Sequence, residues 1–255
     1  MKIFKFITSI LFFLGIIALM IWAVFKTHDR TCNAISIIIH SAEKHVLLTK
    51  SDISNILEKN NLKWEGKAIK EMDLFLFNKI LAQENYIKSV DKVHFLGSKL
   101  QIEITLYDIL LEVHSKTGEK YLLDMNGVYL PYSPKVGSSV IVAERVNPYN
   151  FKKKEAVSSK HSELYQLFTV ASLIKSDCFY ADLFHKLYID DKQNIILVPS
   201  KGEIPVVFGN AQEAETKLKT LRYMYDEVLP YMSEHKYARL DVRFRNRIVA
   251  TKSKS

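Results

Sequence analysis

The chain has 255 residues, a formal net charge of +8, 48% hydrophobic residues and two cysteines. The basic excess is spread thinly: residues 152–154 form the only dense run, residues 239–254 a looser one. No aromatic-interleaved nucleic-acid module accompanies either, so nucleic acid is not an expected partner. Two thiols so far apart in sequence are too few for a disulfide framework.

Residues 6–25 read FITSILFFLGIIALMIWAVF and carry no charge. At about 1.5 Å per residue, a helix of that length spans the roughly 30 Å hydrocarbon core of a bilayer. A cleaved signal peptide calls for a shorter apolar run and a small-x-small site, which the bulky Trp22 to Lys26 stretch does not offer. The span is predicted to be an uncleaved anchor. Flanking charges orient it only weakly. With no second apolar stretch of membrane length after Phe25, the expected topology has residues 1–5 in the cytoplasm and the rest exported. Residues 26–34 read as a linker. Cys32 then lies beside the membrane as an incidental residue, and Cys178 reads as a small buried apolar one.

Residues 35–39 are rich in isoleucine and predict a strand. Thr49 with Asp52 resembles a capping box, and Ile53, Ile56 and Leu57 supply the buried stripe of a helix that stops at Asn60-Asn61. A second helix is predicted from Asp73 to Ala82, with Leu74, Phe77, Ile80 and Leu81 at helical spacing. Val93 and Phe95 alternate with polar neighbours. After a Gly97-Ser98 turn, Leu100, Ile102, Ile104 and Leu106 give the cleanest strand pattern in the chain. The order is β-α-α-β-β, a small sheet covered by two helices.

From residue 109 the texture becomes β-rich. Strands are predicted at 109–113, 121–124, 128–130 and 140–143, with turns at Thr117-Gly118 and Asn126-Gly127. The Asn-Gly pair predicts a type I′ hairpin, which needs φ > 0 at both central residues. Residues 148–160 read as a loop. Leu164, Leu167, Phe168, Ala171 and Ile174 mark a helix, and strands follow at 186–189, 195–198 and 205–208. Asp190-Asp191 reads as a hairpin turn. Asn210 is predicted to cap a long helix with Leu218, Leu221, Tyr225, Val228 and Met232 on its inner face, so the tyrosines of 223–231 are expected in the core. Residues 238–244 and 247–252 read as a last strand pair.

No GxSxG, HExxH, P-loop or GxGxxG motif occurs, and the eight histidines show no metal-ligand spacing. The expectation is a non-enzymatic protein with no catalytic residues, cofactor or metal. A binding or scaffold role fits, because an unpaired sheet edge can accept a partner's strand.

The order of elements after a single span resembles a POTRA domain. LLTKSDISNIL (47–57), DLFLFNKILAQENYIKSVDKVHF (73–95) and LQIEITLYDILLEV (100–113) are similar to the POTRA of the FtsQ/DivIB cell-division family. The chain has Tyr86-Ile87 and Tyr107-Asp108-Ile109 where that family usually carries Pro-aromatic and Glu-Arg-x-Pro. Residues 121–133 (YLLDMNGVYLPYS) resemble its "Y.lD..G..mP.S" hairpin, and Leu240-Asp241-Val242-Arg243-Phe244 its "(I/V)DLR(Y/F)" strand.

The resemblance implies an α+β chain: a transmembrane helix (6–25), a βααββ POTRA-type domain (35–107) and a mixed or antiparallel β-sheet domain with flanking helices (108–255). It also implies a divisome scaffold at the septum, embedded in the cytoplasmic membrane. The implied partners are FtsB/FtsL-like bitopic division proteins and other divisome membrane proteins. They would be bound by strand addition at the last strand, through Tyr237, Arg239, Asp241, Arg243, Arg247, Ile248, Val249, Ala250 and Thr251. Ile248 and Ala250 are expected on one face there, Arg247, Val249 and Thr251 on the other. In an ordinary edge, Arg243, Arg245 and Arg247 would simply guard against aggregation. The alternative function is a POTRA-containing envelope protein for polypeptide transport or assembly.

Overall fold

The computed structural model describes residues 12–22, 30–41, 47–137, 140–158, 162–200, 204–231, 237–244 and 247–252. Residues 12–22 are helical (α1), with Phe12, Phe13, Leu19 and Trp22 each more than half exposed. The remainder of the 6–25 span lies outside the described residues. Among those described, no helix is long and apolar enough to cross a membrane. The chain divides into two compact units, one ending at Leu106 and the other continuing from Tyr107.

In the first unit, β1 (Ala34–His40) runs parallel to β3 (Lys99–Leu106), and β2 (Ile87–Leu96) pairs antiparallel with β3 on its other side. The central strand buries Leu100, Ile102, Ile104 and Leu106 and leaves the intervening residues half-buried or exposed. α2 (Lys50–Lys59) begins at a complete capping box: Thr49 Oγ1 accepts from Asp52 N–H at 3.2 Å, and the Thr49 N–H donates to Asp52 Oδ2 at 2.7 Å. α3 (Leu74–Ala82) begins at Asp73, whose carboxylate accepts from the Phe75 and Leu76 N–H groups. Ile53, Leu57, Phe77 and Leu81 carry the helices onto the sheet. β2 starts five residues before its clear alternation. Bulges between Ile87 and Ser89 and between Val90 and Lys92 break the period of two there.

Cys32 is fully buried in this core and Cys178 is exposed, the reverse of the sequence expectation; both are free thiols. Residues 30–32 pair with the 66–69 segment, which pulls Cys32 inward: its N–H donates to Lys67 O at 2.9 Å and its carbonyl accepts from Gly66 N–H at 2.8 Å. Cys178 falls at the start of a short surface helix.

The second unit is built on a nine-stranded mixed sheet with the order β12-β11-β10-β9-β8-β7-β4-β5-β6. Its strands are β4 (Ile109–Ser115), β5 (Lys120–Asp124), β6 (Tyr129–Pro131), β7 (Ile141–Val146), β8 (Phe184–Ile189), β9 (Ile195–Pro199), β10 (Val206–Gly209), β11 (Tyr237–Asp241) and β12 (Val249–Lys252). Two connections cross over through helices. α4 (Ser162–Lys175) and α5 (Cys178–Leu183) join parallel β7 and β8, and α6 (Ala214–Tyr223), extended to Tyr231 by π and 3₁₀ turns, joins parallel β10 and β11. Parallel neighbours need such crossovers.

One row of registered residues shows why this face is buried. Pro131, Tyr121, Val113, Ala143, Leu187, Leu197, Val206, Leu240 and Ala250 stand side by side across all nine strands. All but Pro131 join the core formed with α4 and α6. The next row, His114, Glu144, Tyr188, Ile196, Val207, Asp241 and Val249, begins polar and ends at the β12 edge.

Three local expectations are corrected. The β5–β6 loop is not type I′: Gly127 has φ 76°, but Asn126 does not take positive φ. Instead the buried Asp124 carboxylate accepts from Asn126 N–H (2.9 Å) and Val128 N–H (2.6 Å), forming an Asx turn that leaves only Gly127 left-handed. Asn210 does not cap α6. Its Oδ1 accepts from Gln212 N–H, and Glu213, in the left-handed region at φ 52°, occupies the cap position without a side-chain capping bond. Tyr223 (65% exposed) and Tyr231 (87%) lie on the surface, while Leu218, Leu221 and Met224 are buried. Across the π turn over Met224–Val228 Tyr225 and Val228 pack against the core as the spacing predicts, so the helical reading misplaces only Tyr223 and Tyr231. Met232 lies outside the described residues.

Candidate partner-binding edge

β11 is held from three sides. It lies parallel to β10, with Val206 opposite Leu240 and Val207 opposite Asp241. β12 pairs antiparallel on its other side: Leu240 faces Ala250 and Asp241 faces Val249. Leu240 and Val242 are buried in the core, so Asp241 must turn its carboxylate to the opposite face. There Arg243 folds back onto it. Arg243 Nη2 donates to Asp241 Oδ2 at 2.6 Å and Nε to Oδ1 at 2.9 Å, and the Arg243 main-chain N–H donates to Oδ1 at 3.1 Å. Such two-pronged, charge-assisted pairs fix geometry as well as energy.

The clamp extends into the neighbouring hairpin. Arg243 Nη1 donates to Asn194 Oδ1 at 3.4 Å, and Asn194 Nδ2 donates to Asp190 Oδ2 at 3.0 Å. Asp190 also accepts from the Lys192 and Asn194 N–H groups, which closes the β8–β9 turn. Gly209 lies directly beneath the arginine: a Cβ there would come within 2.8 Å of Arg243 Cγ. Burial pushes the Asp241 carboxyl up, but hydrogen bonds from Arg243 outweigh it and leave the group below the ordinary carboxylate value. Burial likewise raises Asp190, and its bonds from Asn194 and Lys192 bring it below that value.

The lowered Asp241 value has a consequence for acid stability. A depressed folded-state pKa contributes stability in full above the unfolded value of about 3.9, and the contribution disappears as pH falls through the folded value. Asp241→Asn is therefore less stable than the parent at pH 7. The gap narrows as pH falls below about 4, because only the parent loses this contribution. Urea unfolding at neutral and acid pH checks this, and a gap that stays constant contradicts it.

The predicted site residues divide into three groups. Asp241 and Arg243 form the clamp. Tyr237, Ile248 and Ala250 are partly buried against the core. Arg239, Arg247, Val249 and Thr251 are exposed; Arg239 Nε donates to Thr251 Oγ1 at 3.4 Å, and Val249 is 46% exposed. Arg245 lies outside the described residues. β12 ends the sheet order, so its outer side carries no further strand among the described residues. Beside it Phe244 is 51% exposed, with the Arg243 guanidinium 5.8 Å from its ring centre. Gly209 and Asn194 carry no site signal in the sequence, where Asp190 reads only as a turn residue, as it proves to be, and Phe244 only as part of a strand. Gly209, left-handed at φ 82°, precedes Asn210, the residue that the sequence marks as a helix cap. Among the described residues, no three His, Cys, Asp or Glu side chains gather as a metal site would require.

The first unit is thus a βααββ fold, and the second a mixed sheet whose last strand, β12, carries no further strand on its outer side among the described residues. A POTRA-like domain profile matches residues 30–105, and a profile described as FtsQ/DivIB, C-terminal related, matches residues 110–251. The second match covers more than half of the chain, and the chain belongs to the FtsQ/DivIB family of cell-division proteins. That family is non-enzymatic and associated with the divisome, and its domains are those of a division scaffold. A search of curated proteins returns no match.

Proposed function

We propose that the chain is a scaffold of the bacterial divisome, anchored in the cytoplasmic membrane by residues 6–25, with its N-terminus in the cytoplasm and both folded units outside it at the septum. Its partners are FtsB/FtsL-like bitopic division proteins, bound by strand addition to β12. The observation that carries this reading is the position of β12 as the last strand of the nine, with the Val249 side chain turned outward and Ala250 turned to the core. Main-chain groups on that outer side supply affinity, and the exposed Arg239, Arg247, Val249 and Thr251 supply selectivity.

The test is binding of the detergent-solubilised full chain to FtsB/FtsL-like partners. Val249→Asp weakens binding by about tenfold or more, the size of one hot-spot residue, and leaves the melting temperature unchanged. Ile248→Asp also weakens binding, but it lowers the melting temperature, because Ile248 packs on the core. Unaltered binding by Val249→Asp contradicts the edge assignment.

A further inference from the structure

α3 presents an apolar surface that its own unit does not use. Its inner face is made by Phe77 and Leu81, with Leu74 and Ile80 half-buried beside them. Phe75 is 75% exposed and Leu76 39% exposed in the first turn of the helix. An exposed phenylalanine beside an exposed leucine at a rigid helix start is unfavourable in water. Removing such side chains from water is favourable in proportion to the apolar area covered.

The chain path indicates what covers this surface. The segment leading to α3 is tied to the beginning of the unit: the Ile69 N–H donates to Arg30 O at 3.1 Å, and Thr31 bridges Ala68. Arg30 follows Phe25, the last residue of the apolar span, by five residues. Five residues reach at most about 17 Å. If the span lies in a bilayer, Arg30 is held within about 17 Å of its end, and with it Ile69, five residues before α3 begins at Leu74.

The charges beside it suit an anionic surface. Arg30, Lys63, Lys67 and Lys70 are exposed around this segment, and Lys79 is exposed one turn along α3. The acidic residues there are Glu65, Glu71 and Asp73, and the Asp73 carboxylate is occupied in capping α3. Apolar side chains inserted at the headgroup boundary, with basic residues above anionic lipid, are the recognised mode of interfacial binding.

We propose that the POTRA-like unit docks onto the anionic bilayer surface through Phe75 and Leu76, with the surrounding basic residues on the lipid headgroups. The proposal rests on the anchor reading above.

The experiment uses the full chain in phosphatidylcholine vesicles with or without phosphatidylglycerol. Cys178→Ser removes the exposed thiol, and Asn78→Cys, on the outer side of α3 one turn from Phe75, carries an environment-sensitive fluorophore. Flotation after an alkaline carbonate wash tests the anchor separately. In the anchored chain the label shifts to the blue and is quenched by lipids spin-labelled near the headgroup, more strongly with phosphatidylglycerol present. Phe75→Ser with Leu76→Ser removes most of that quenching without releasing the chain from the vesicles. A label that stays water-exposed in an anchored chain, or quenching indifferent to the double substitution, overturns the proposal. Shielding that appears only when another division protein is added also overturns it, assigning the surface to protein. A chain released by carbonate overturns the anchor reading, and the tether argument with it.

Discussion

Gly209→Val destabilises the second unit by about 3 kcal/mol. Two independent costs add. Gly209 has φ +82°, a conformation that costs an L-residue about 1–2 kcal/mol and a β-branched one more. The new Cβ would also stand 2.8 Å from Arg243 Cγ and 3.1 Å from Cδ, so the arginine must leave its place over β10. Asp241, only 6% exposed, then keeps its charge with fewer donors, worth roughly 1–3 kcal/mol. In a unit of this size that corresponds to a fall in Tm of about 10 °C, read from the calorimetric transition of the purified full chain. Arg243→Ala removes the obstructing side chain and the clamp together. Because the two residues touch, the double variant loses less than the sum of the single losses. Strict additivity would show that the glycine and the arginine act separately.

Gly127→Val is the second large effect, about 2 kcal/mol or a little more. Gly127 is the one left-handed residue of the Asp124 turn, at φ 76°, where a branched Cβ is disfavoured. Its neighbours leave little room for relaxation. A Cβ would meet the Phe168 ring of α4 at 3.4 Å and Val157 at 3.5 Å, and the Gly127 carbonyl accepts from Val157 N–H at 2.9 Å. Gly127→Asn separates conformation from crowding, since asparagine enters the left-handed region more readily. The asparagine variant melts above the valine variant. Equal melting temperatures would attribute the loss to contact with Phe168 instead.

The elements that local chemistry determines were readable without the structure. Thr49 and Asp52 announce α2 because a capping box is a contact across three residues. The alternation in β3 survives because that strand is central and regular. Asp73 marks the start of α3 by the same local logic. What could not be read is non-local. The Asp241–Arg243 clamp is two residues long in sequence, but its purpose depends on Gly209 and Asn194, which reach it only through the parallel pairing of β10 with β11. Nothing in the spacing of residues 205–208 and 238–244 states that an α6 crossover makes them neighbours. The two cysteines were misassigned for a similar reason. Cys32 is buried by a pairing with residues 66–69 that a linker-like composition conceals. At the edge, the alternation of Ile248 and Ala250 against Val249 was visible as a pattern, but which face met the core required the sheet.

That distinction decides how the proposed edge should be probed. Ile248 and Ala250 are tempting targets, yet both lie against the core, and losing them confounds folding with binding. Main-chain protection avoids the difficulty. The most direct measurement is amide hydrogen exchange of the full chain, with and without an FtsB/FtsL-like partner. The account predicts slower exchange in β12, at Val249–Lys252, with little change in the other strand ends of the sheet. A complex that forms while β12 exchanges as before, with new protection elsewhere, would contradict strand addition at this edge.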